Sequence, residues 1–158
     1  MPILLVKNEQ EILDILKCVI QCTEFAPEAS LEGLKNQIME LKRIATMSDL
    51  EPGHFLGVGA TALRLIDQFR KEQNDELFYP PAFAEFLWNK HQKYGAEPLL
   101  EVGVLGIAMR LISKINRLIN MQTLDTTYTI DDEDTLMDIL GYCVLGYQLM
   151  RTTDDKIN

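Results

Sequence analysis

Histidine and cysteine are scarce in this chain, two and three among 158 residues, and that scarcity removes whole classes of chemistry. Cys18, Cys22 and Cys143 are an odd number with no export signal beside them, so a disulfide framework is not expected and all three read as reduced core residues. Cys18 and Cys22 stand four apart on an apolar helix face, a spacing that suits two metal ligands, but no further Cys or His follows at ligand spacing. His54 and His91 are isolated from any nucleophile motif and read as surface or capping residues. No run approaches the roughly eighteen apolar residues a membrane span needs, and MPILLVKNEQ turns polar too early for a secretory signal. A cytoplasmic protein is therefore expected. Positive charge is also in short supply: Lys and Arg number 15 against 24 Asp and Glu, leaving a net charge of −9. That balance argues against nonspecific binding to nucleic acid or to an anionic membrane. A phosphate ligand has to be met by a local cationic patch.

What is present is apolar periodicity near 3.6, with no sustained two-residue alternation, so an all-α fold of about six helices in an orthogonal or bundle-like arrangement is expected. The first starts at Asn8, whose spacing to Glu11 resembles a capping box, and runs to Thr23, where EFAPEAS breaks it. Ser30 caps the second, which runs to Thr46, and the third occupies Leu56 to Gln73. Pro80-Pro81 is the best internal boundary, with Pro81 in the first turn of a fourth helix that Gly95 stops. The fifth runs from Glu101 to Asn120. Asp131 is the expected cap of the sixth, Asp132 to Met150, before a frayed RTTDDKIN tail. Residues 1–158 read as one helical domain with an N-terminal half, 1–79, and a C-terminal half, 80–152. Gly57 to Lys71 echoes Gly103 to Arg117, which two related halves or shared amphipathicity would both produce.

The fifth helix carries Arg110, Lys114 and Arg117 within roughly 60° of one another, beside an aliphatic sector of Leu111, Ile112, Ile115, Leu118 and Ile119. In the sixth, Leu136, Leu140, Cys143, Tyr147 and Met150 form the core seam. Asp134 and Asp138 lie on nearly the opposite side, which continues into Gly141, Tyr142 and Leu145 and so predicts a second contact there. Asp132, Glu133 and Asp134 complement the helix dipole. Asp138 lies deeper and either pairs with the basic stripe or joins Glu133 and Asp134 as an oxygen ligand of Mg²⁺, with the cations neutralising phosphate.

Three blocks, KHQKYG (Lys90 to Gly95), GVLGIAMRLISKINRL and EDTLMDILGY (Glu133 to Tyr142), resemble the first nucleotide-modification-associated domain family of phages and bacteria. The resemblance spans about Phe83 to Arg151 and departs from the family at Lys93, where an acid is usual, and at Gly141, where an amide is usual. It implies a helical protein of phage nucleotide or DNA-base modification systems, acting in the host cytoplasm. The sixth helix is also similar to a metal-binding helix of the MazG-type nucleoside triphosphate pyrophosphatases, whose second acidic pair is matched only by Glu11 and Asp14. The leading expectation is a module binding a nucleotide or nucleotide-derived phosphate, in nucleotide modification or in sequestering a host-defence signal. Arg110, Lys114, Arg117 and Lys90 would meet phosphate, and Tyr94 or Tyr142 would stack on the base. The alternatives are a Mg²⁺-dependent pyrophosphatase using Glu133, Asp134 and Asp138, and a purely structural helical protein. A homo-oligomer is expected from the two apolar faces of the helical halves.

Overall fold

The amphipathic segments fold as six helices, and the described residues contain no strand. The computed structural model describes residues 3–24 and 28–157, with side chains through residue 152. In chain order the helices are α1 (Glu9–Thr23), α2 (Leu31–Thr46), α3 (Pro52–Glu72), α4 (Pro80–Tyr94), α5 (Glu97–Leu124) and α6 (Ile130–Ile157).

Local chemistry sets each start. Asn8 accepts from the Glu11 N–H at 3.0 Å and Ser30 from the Gly33 N–H at 3.0 Å, each satisfying an orphan donor of a first turn. α3 begins at Pro52 rather than near Leu56, because proline is preorganised for a first turn and His54 Nδ1 accepts the Glu51 N–H at 2.9 Å. α6 is opened by Thr129 and not by Asp131, which is exposed. The Thr129 N–H donates to Asp132 Oδ2 at 2.8 Å and the Asp132 N–H to Thr129 Oγ1 at 3.3 Å, a reciprocal box. Beyond Met150 the helix continues through Ile157, so the expected fraying is not observed, and Asn158 lies outside the described residues. So do Phe25, Ala26 and Pro27 of the predicted EFAPEAS break.

α5 starts earlier than expected, with Pro98 in its first turn, and bends at Gly103, whose φ of 65° and ψ of −171° other residues resist. The bend carries Val102 over Gly106, where a Cβ would lie 2.2 Å from the Val102 Cβ.

One hydrophobic cluster takes residues from all six helices. α3 and α6 form its central pair, with α1 and α2 against α3, α5 against α2 and α6, and α4 against α1. Gly146 lies under the Phe55 ring, 2.7 Å from where its Cβ would be, so the two helices approach to a separation that side chains there would prevent. On α6, Leu136, Ile139, Leu140 and Val144 are fully buried. Each contributes about 1.5–3 kcal/mol through removal of apolar surface from water. Cys143 belongs to this core, where burial pushes its thiol up and keeps it unreactive, and Cys22 packs against it. Cys18 is a correction, being only half-buried.

The segment before α1 straps the end of α4. The Leu5 N–H donates to His91 Nε2 at 2.9 Å, the Ala96 N–H to the Ile3 carbonyl at 2.7 Å, and the Gln148 side chain to the Leu5 carbonyl at 3.2 Å. His91 is consequently buried, 3% exposed, and not the surface residue its isolation in sequence suggested.

Candidate functional site

α4 packs mainly on α1 and leaves a groove against α6. Along it α4 places Phe86, Lys90 and Tyr94 at four-residue steps, one face of a helix. Opposite, α6 places Met137, Asp138, Gly141, Tyr142 and Leu145, the side the sequence marked for a second contact. Gly95, with φ 71°, turns the chain from α4 into α5, so that Pro98 and Leu99 join the lining, with Arg110 from further along α5. The hollow is about 390 Å³, within the range of small-molecule sites, and its walls are mostly apolar. Gly141 keeps it open: a Cβ there would come 3.3 Å from Leu87 Cδ1.

Four predicted ligand residues, Lys90, Tyr94, Arg110 and Tyr142, line this one cavity. Arg110 is half-buried with its guanidinium carbon 6.0 Å from the centre of the Tyr142 ring, and it has no carboxylate partner among the described residues. Lys90 Nζ stands 3.1 Å from Asp138 Oδ1 and 5.5 Å from the Phe86 ring centre. Lys114 does not line the cavity and holds Asp138 Oδ2 at 3.0 Å from behind. Arg117 is exposed and does not line the cavity, so the basic stripe divides into Arg110 without a carboxylate, Lys114 bridged through Asp138 to Lys90 of α4, and Arg117 facing water.

The three acids meet different partners. Glu133 Oε1 accepts from Arg70 Nε at 2.5 Å and from the Tyr128 hydroxyl at 3.3 Å. Burial, with that carboxylate beside it, holds the Tyr128 phenol well above its ordinary range. Both oxygens of Asp138 are taken by lysines, while Asp134 is exposed. No group of three or more His, Cys, Asp or Glu placed to hold a metal exists among the described residues. Magnesium needs oxygens that converge without cations already on them, so this donor set does not fit the ion as arranged.

Two participants were not read from sequence. Arg70, on α3, reaches Glu133 across 63 positions, which no local pattern signals. His91 lines the cavity, and because Nε2 accepts the Leu5 N–H, the neutral ring carries its hydrogen on Nδ1. Nδ1 has no hydrogen-bond partner among the described residues, so the neutral ring keeps one donor unused. Burial lowers the His91 pKa from its ordinary 6.5 and favours that uncharged form.

A second cavity, about 470 Å³, continues the groove toward the start of α6 and shares Phe86, Lys90, Met137 and Asp138 with the first. No protein-family model, curated protein or solved structure matches the chain. No helix among the described residues is long and apolar enough to cross a membrane.

Proposed function

We propose that the groove binds a nucleotide or nucleotide-derived phosphate ligand. The observation that carries this reading is Arg110: a half-buried arginine at an apolar cavity, without a carboxylate partner among the described residues. Phosphate oxygens would supply the paired acceptors a guanidinium is shaped for. Lys90 is the second cation within reach, and releasing it is inexpensive, because its side chain is 43% exposed and such surface pairs are worth about 0–1 kcal/mol. Tyr142 and Tyr94 offer ring faces to a base, and His91 Nδ1–H would donate to a base acceptor. Lys114 acts through Asp138, and Arg117 takes no part.

On the resemblance in the three sequence blocks, we further propose that this binding serves phage nucleotide modification or sequestration of a host-defence nucleotide, in the host cytoplasm. Exposed Val102, Leu105 and Met109 on α5 support association of copies of the chain. No hydrolytic step is assigned, since Glu133 and Asp138 are already held by cations.

Calorimetric titration against nucleoside mono-, di- and triphosphates tests the proposal. At least one should bind, and Arg110→Ala should weaken it about tenfold or more, the effect of losing a charge-assisted contact. Unchanged affinity in that variant would remove the proposal's basis. Magnesium-dependent release of pyrophosphate would show that the acids rearrange and that the pyrophosphatase reading is the correct one.

A further inference from the structure

We infer that the groove is built for a phosphate-bridged dinucleotide, one base in each of two compartments that meet at Lys90. The inference rests on the nucleotide-binding reading above and specifies its ligand. The two cavities are contiguous through Phe86, Lys90, Met137 and Asp138, so Lys90 sits in the wall common to both. Each alone is large enough for one ligand group.

The compartments differ in chemistry. The first is mostly apolar, with Tyr142 for stacking, Arg110 for the phosphate, and His91 in its lining as a neutral donor to a base acceptor. The second presents Tyr79 and Phe86, 65% and 51% exposed, as stacking surfaces, and Asp134, whose carboxylate has no ion-pair partner among the described residues. Asp134 would accept the adjacent N–H donors that a guanine edge carries. A bridging phosphate between the bases would then be held by Arg110 and by Lys90, both in the lining of the first cavity, with Lys90 exchanging Asp138 for it while Lys114 stays on Asp138.

Charge selects among other occupants. A triphosphate anchored at Arg110 would bring more negative charge than the one-charge surplus of Arg70, Lys90, Arg110 and Lys114 over Glu133, Asp134 and Asp138 offsets. A long strand would have to run over a surface whose net charge is −9. A dinucleotide places its phosphate at the two cations and an uncharged base among the acids.

The test titrates the full chain, without magnesium, with AMP, GMP, linear guanylyl-adenosine in both orders, and a cyclic guanine-adenine dinucleotide. A dinucleotide should bind about tenfold or more tightly than either mononucleotide, since a second stacked base is gained at small added cost. Tyr79→Ala and Asp134→Asn, both at exposed positions the fold tolerates, should each lower dinucleotide affinity about tenfold and leave mononucleotide affinity unchanged. Equal binding of mono- and dinucleotides, or indifference to both variants, overturns the two-base inference and leaves nucleotide binding standing. No binding of any of them overturns the two-base inference, and if the nucleoside di- and triphosphates also fail to bind, nucleotide binding falls with it.

Discussion

Arg110, Lys90 and Lys114 lie near one another yet start from different states, and the differences decide their roles. Arg110 has no carboxylate to leave, Lys90 leaves an exposed one, and Lys114 is 29% exposed and faces only Asp138. On the proposed reading, an anion would engage Arg110 at least cost and draw Lys90 from Asp138. His91 adds a residue with a measurable pH signature. Its pKa lies below the ordinary 6.5 because burial penalises the charged ring, so as pH falls the unfolded chain takes up this proton before the folded one does. Its contribution to stability is intact above about pH 6.5 and declines as pH falls below it, because a protonated Nε2 cannot accept the Leu5 N–H. The melting temperature should fall more steeply from about pH 7 to pH 5 in the natural chain than in His91→Gln, which retains an acceptor and does not titrate. Parallel slopes would show that His91 is not held neutral by its site.

At the scale of elements, helix positions follow from apolar burial, and ion pairs adjust afterwards. The α3–α6 crossing turns on Gly146. An alanine there gains helix propensity of up to about 1 kcal/mol but drives a methyl into the buried Phe55 ring, an overpacking that costs about 1–3 kcal/mol. Gly146→Ala should lower the urea midpoint without changing the slope. Gly57→Ala, with nothing within 4 Å of the new Cβ, should raise it by the equivalent of about 0.5–1 kcal/mol. If both changes shift stability the same way, close approach at Gly146 is not what sets the crossing.

The helices themselves were legible because period and caps are local: Asn8, Ser30, Pro81 and Gly95 each mark a terminus that neighbouring residues alone determine. The missed boundaries are also local but subtler, since Pro52 and Pro98 extend helices upstream and Gly103 bends one instead of starting it. The site was legible in part. Lys90, Tyr94, Arg110 and Tyr142, candidates from the three resembling blocks, line one cavity, whereas Arg117, about two helical turns along α5 from Arg110, falls outside it. Glu133 and Asp138 looked like a metal pair because their counter-ions, Arg70 and Lys90, come from other helices and leave no trace in the spacing. The echo between α3 and α5 fares similarly. Arg64 and Gln68 bond the backbone of Thr23 and Ala29, whereas their matches Arg110 and Lys114 face Tyr142 and Asp138.

For the whole molecule, the question is how a chain of net charge −9 attracts a phosphate. In and behind the groove, the four cations Arg70, Lys90, Arg110 and Lys114 face the three acids Glu133, Asp134 and Asp138, leaving this region one positive charge in excess. On the proposed reading, this surplus would admit a small anion locally while the remaining negative charge opposes polyanions. On the same reading, Asp138 is a counter-ion that holds Lys90 and Lys114 and competes with the ligand. The most direct measurement is the affinity of Asp138→Asn for the best-bound nucleotide, by calorimetry without magnesium. Removing that charge should tighten binding a few-fold to about tenfold, the Coulomb energy of one charge across several ångströms of partly screened protein. Weaker binding in Asp138→Asn, with the fold intact, would contradict the account.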